Sequence, residues 1–150
     1  MLALSRTVRF CLSGSPGDLD GPRDNTFSAW PAMRGLGRYY ELDVTCQGEA
    51  DPQTGYFLNI KTIDQAVREH VLPMLIERVN DEAGAAATPM GGLMRRVLEA
   101  IDPPLNGTVC QVRLVLTPTL SFGIERDDMD HVVMRQQYEF SAAHRLHVPT

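Results

Sequence analysis

Much of what would mark a familiar chemistry is scarce in these 150 residues. The three cysteines, Cys11, Cys46 and Cys110, are far apart and odd in number, and none belongs to a Cys-x-x-Cys pair. A disulfide framework or a thiolate metal site is therefore not expected, and buried reduced thiols are, because free cysteine packs as a small hydrophobe. Histidine occurs four times, at 70, 131, 144 and 147. No basic stripe accompanies the net charge of −5, so phosphate neutralisation has no obvious agent and nucleic acid is not an expected partner. No apolar run is long enough to span a bilayer, and arginines at 6 and 9 interrupt the only run near the N-terminus. A cytoplasmic protein with no membrane partner is the expectation.

What is present is the patterning of one ordinary domain with a short extra piece, at 43% hydrophobic and 22% charged residues. Tyr40, Leu42, Val44 and Cys46 alternate with Glu41, Asp43, Thr45 and Gln47, the period of a strand with one face packed and one wet. Cys110 to Leu116 and Leu120 to Ile124, joined through Thr117-Pro118-Thr119, read as an antiparallel hairpin. Leu4, Val8, Phe10 and Leu12 predict a weaker first strand, broken by the turn chemistry of Ser13-Gly14-Ser15-Pro16-Gly17, and residues 15–35 read as a long loop.

Between the strand pairs, Ile63, Ala66, Val67, His70, Val71, Met74 and Leu75 recur at helical spacing, with Thr62 placed as a cap and Pro73 as a kink or end. This pattern sets His70 on the apolar face as a core or interface residue. A second helix from Leu93 to Ile101 stops at Asp102-Pro103-Pro104. The expected class is α+β: a four-stranded antiparallel sheet with two helices on one face, in the order β-β-α-α-β-β. A strand-like stretch from Val132 to Phe140 follows as a tail outside that unit, with His131 as a solvated turn residue.

The tail holds Phe140-Ser141-Ala142-Ala143-His144-Arg145-Leu146-His147, and the stretch from Gly48 to Gly55 reads Gly-x-x-Asp-x-x-Thr-Gly after an alternating strand. With Glu69-His70-Val71-Leu72 and Thr117-Pro118-Thr119, these segments resemble the 6-pyruvoyl-tetrahydropterin synthase / 6-carboxytetrahydropterin synthase family, whose fold is the T-fold. The resemblance implies a tandem repeat: residues 1–126 as one copy, and residues 130–150 as the first strand of a second, incomplete copy. Phe10 and Phe140, 130 residues apart, are the equivalent positions. In that family the Gly-x-x-Asp-x-x-Thr-Gly segment closes a hairpin.

The resemblance also implies a zinc-dependent lyase acting on dihydroneopterin triphosphate, in pterin or queuosine-precursor metabolism. The first copy departs from it. Its zinc-ligand positions fall on Gly14, Leu36 and Arg38, its proton-transfer cysteine near Trp30, its Asp-His pair near Ile76-Glu77, and its pterin-anchoring glutamate on Leu116. None of these can do the family's chemistry, so no catalytic and no cofactor-binding residue is assigned in the first copy. Glu77 beside Arg78 reads as a surface charge. His144 is the single candidate metal ligand, and it needs partners from a completed second copy, since catalytic zinc takes three protein ligands and an open position. Three functions remain open: part of a tandem enzyme, a non-catalytic T-fold oligomerisation or scaffold module, or a sensor with a pocket and no chemistry. Sheet edges make a homo-oligomer the expected assembly in each.

Overall fold

The computed structural model describes residues 1–12, 38–80 and 89–142. Alternation in the sequence becomes two long strands, β1 (Leu2–Leu12) and β2 (Arg38–Gly48), paired antiparallel without interruption from Leu2 opposite Gly48 to Leu12 opposite Arg38. The hairpin read at 110–124 is present as β3 (Val109–Thr117) and β4 (Leu120–Glu125). β3 docks on β2, with Leu42 opposite Leu114 and Val44 opposite Val112, and the register shifts at Thr45/Cys46 where Val109 enters the core.

The helical segment is divided into α1 (Ile60–Ala66), a π-turn over Val67–Val71 and α2 (Leu72–Asn80). Its cap is Asn59, whose side chain accepts from the Lys61 amide at 2.9 Å; Thr62, the residue expected to cap, lies inside the first turn and donates its amide to the Asn59 carbonyl. Asn59 wins because its backbone is extended and its short amide reaches the next free N–H. Pro73 explains the π-turn. Proline has no N–H for the carbonyl four residues back and its ring crowds that group, and a widened turn just before it relieves both. Consistently, Leu72 donates to Val67, five residues earlier.

That extra residue rotates everything after it, so burial passes from the expected His70 and Met74 to Val71, Leu72, Leu75 and Ile76, while His70 is exposed. The histidine is therefore not a core residue. α3 (Met90–Ile101) begins before the expected Leu93 and stops as predicted at Asp102, followed by a single 3₁₀ turn, Pro103–Leu105. Asn106 and Gly107 then reverse the chain at positive φ.

Asp102 closes this corner. Its carboxylate accepts from the Val109 amide at 3.1 Å and pairs with Arg126, which also donates to the Gly107 carbonyl. α1 is tied to β1 by the least exposed ion pair among the described residues, Arg6 to Asp64, whose two contacts are 2.7 and 2.9 Å.

The expected α+β layout is thus present, with the helices on one face of the sheet. The core between the layers includes Phe10, Leu42, Val44, Ile63, Met94, Ile101 and Ile124. One strand extends the sheet beyond the expected four: β5 (Asp128–Gln136), antiparallel on β4, giving the order β1-β2-β3-β4-β5. It begins earlier than the expected Val132–Phe140 because the turn after Glu125 is tight enough to place Asp128 directly across from Glu125. The tail read as lying outside the first unit is a continuation of its sheet, since β4 offered an unpaired row of amides and carbonyls.

Candidate functional site

The helix-free face of the sheet is polar because alternate residues of every strand point there. Ser5 meets Thr45 at 3.0 Å, Arg9 meets Glu41 at 2.8 Å, and Asp43 accepts from Thr7 and from Arg113 at 2.9 Å. Gln111 donates to Glu125 at 3.0 Å one strand further on. These groups satisfy one another across the ladder, so the face is a solvated surface of matched charges.

The turn from Gly48 to Gly55 is built as its motif demands. Asp51 Oδ1 accepts from the amides of Gln53 and Thr54, both at 2.8 Å, and Gly55 takes φ +74 so that its amide can reach the Asp51 carbonyl. The Thr54 and then the Gln53 amide hold the Asp51 carboxyl below its ordinary pKa. The turn delivers the chain from β2 into α1; it does not close a hairpin, and Asp51 serves the backbone.

Between the helices and the open end of the sheet lies a cavity of about 160 Å³. The sheet contributes Leu12, Arg38, Tyr40, Leu114 and Leu116 to its wall, and the helices contribute Leu75, Arg78, Val79, Met90 and Leu93. Leu12 and Arg38 are direct partners in the β1–β2 ladder, and Phe10 and Tyr40, the next pair on that face, set their rings 6.2 Å apart.

Two positions of the family resemblance, Arg38 and Leu116, therefore meet in one cavity. Ile76 is in the core and Glu77 is exposed, so the stretch matched to the Asp-His pair does not reach it. Gly14, Trp30, Leu36, His144 and His147 lie outside the described residues, as does the loop expected over 15–35.

The described wall offers zinc no ligand: it carries two guanidinium groups and no imidazole, thiol or carboxylate. Among the described residues, no three His, Cys, Asp or Glu side chains gather as a metal-holding group. Cys11 and Cys46 are buried and Cys110 is half-buried. Burial raises the thiol pKa of both Cys46 and Cys110, which keeps them protonated and poorly nucleophilic.

Arg78 is the cavity residue that sequence reasoning passed over, as the plain surface partner of Glu77. Its signal was available: Leu75, Arg78 and Val79 share one face of a helix. No helix of the described residues is long and apolar enough to cross a membrane.

No family model and no curated protein matches this chain. Among solved structures, 6-pyruvoyl tetrahydropterin synthase of Caenorhabditis elegans is similar to it at 15% identity, over 83% of this chain and 94% of that one, with a TM-score of 0.48. That likeness is too slight to assign a family or an activity.

Proposed function

We propose that this chain is a non-catalytic, tetrahydropterin-synthase-like T-fold module whose task is assembly, serving pterin or queuosine-precursor metabolism as the structural partner of a competent copy. The observation that supports this reading is the placement of β5. A neighbouring four-stranded copy would lay its first strand antiparallel on the β4 edge, and β5 occupies that place. The strand overlaps the repeat-equivalent segment at residues 132–136.

The free side of β5 is then the edge to which further strands add. Val133, Met134, Tyr138 and Phe140 are 47%, 58%, 79% and 90% exposed on and just beyond this strand, an apolar group that water does not favour. Burial of apolar surface at roughly 25 cal/mol per Å² makes a few hundred Å² sufficient to offset modest ordering costs. In this reading, zinc and the lyase chemistry belong to a completed second copy, to which His144 would contribute one ligand.

Light scattering across a dilution series tests the assembly. A species larger than the monomer is expected at micromolar concentration, and Val133→Lys with Met134→Lys should shift it to monomer. A wild-type chain that stays monomeric throughout overturns the proposal. Metal analysis tests the non-catalytic half, because one tightly held zinc per chain contradicts it.

A further inference from the structure

We infer that the cavity between the helices and the open end of the sheet is a binding site for a small carboxylate with a compact apolar body. The inference does not rest on the assembly reading, since the described wall comes from a single chain.

Three observations carry it. First, the size: about 160 Å³ is close to the volume that an apolar protein cavity needs to hold a benzene-sized molecule. Secondly, the lining: Leu12, Leu75, Leu93 and Leu116 give such a body an apolar bed from both layers of the fold. Thirdly, the charge: Arg38 from β2 and Arg78 from α2 stand in the same wall, with no acidic residue among its described members. Neither guanidinium has an ion pair or hydrogen bond among the described residues. A cavity walled by leucines with two cations and no anion is complementary to an amphipathic anion. The planar fork of arginine donates two parallel hydrogen bonds to a carboxylate, so the head group is fixed in orientation while the body is held by burial.

Other features carry less. The polar sheet face has its charges matched across the ladder, and the thiols of Cys46 and Cys110 are buried and protonated.

Benzoate is the probe, titrated into the full chain by calorimetry beside its neutral counterpart benzamide, acetate as charge without body, and inorganic phosphate as a different anion. Saturable benzoate binding at one site per chain is expected, with the other three at least ten-fold weaker. Arg38→Gln and Arg78→Gln should each weaken benzoate at least ten-fold, whereas Arg96→Gln, on the exposed side of α3, should leave it unchanged. Leu116→Phe, which fills the cavity without touching either cation, should abolish binding while the melting temperature is retained. Equal binding of benzamide and benzoate overturns the inference, as does preference for phosphate. So does an absence of saturable benzoate binding at millimolar concentration, or benzoate binding that survives both arginine variants or Leu116→Phe.

Discussion

Asp64 and Arg6 show what a single pair can hold. Their side chains are only 3% and 12% exposed, and the bidentate contact joins the first strand to the first helix. Removing one partner of a buried pair leaves the other charge desolvated, which costs about 3–5 kcal/mol. Asp64→Asn should therefore lower the unfolding free energy by about that amount, read from the midpoint of urea denaturation. His131 is the opposite case, an exposed residue whose Nδ1 lies 2.6 Å from Asp128 Oδ1. The hydrogen bond to Asp128 and its negative charge raise the imidazole pKa above its ordinary 6.5. The stabilisation from this contact is complete below that ordinary value and is lost as the pH rises through the raised one. An NMR titration should place the His131 midpoint above 6.5, and Asp128→Asn should bring it back towards that value; a wild-type midpoint at or below 6.5 would contradict the contact.

At the scale of elements, the helical segment after β2 separates what local chemistry sets from what packing sets. Asn59 is the working cap, so Asn59→Ala should cost about 0.5–2 kcal/mol in thermal or chemical unfolding, and Thr62→Ala clearly less. Equal losses at the two positions would put the helix start elsewhere. The π-turn over Val67–Val71 is an element-scale answer to one residue, Pro73, and it redirects the buried face of α2. Strand patterning was legible because period-two alternation survives in β2, β3 and β4. The helix face was only half legible, because an extra residue in one turn leaves the apolar spacing intact up to Val67 and shifts it afterwards.

For the whole molecule, the division of labour along the chain is uneven. Among the described residues every buried core residue lies at or before Ile124, while β5 adds only half-buried Met129 and Val132 and the contacts of Arg95 with the Met129 carbonyl and Asp130. Truncation after Arg126 retains the core and the Arg126–Asp102 pair. It should leave a single cooperative melt at a lower temperature than that of the full chain. A broad, non-cooperative transition would mean that β5 is needed to complete the sheet. The same truncation removes Val133, Met134, Tyr138 and Phe140 and should weaken self-association.

The sequence by itself determined the α+β class, the order of strands and helices, the β3–β4 hairpin and the stop of α3 at Asp102, because each is written in local periodicity or in proline and turn chemistry. Tertiary structure alone decided three other features. His70 turned to solvent because a π-turn is invisible to a fixed helical period. The tail joined the first unit because pairing depends on which edge is open, and adjacency in space is absent from alternation. Arg38 and Arg78 came to share a cavity with Leu116 because residues from β2, α2 and β3 meet only when the helices pack on the sheet.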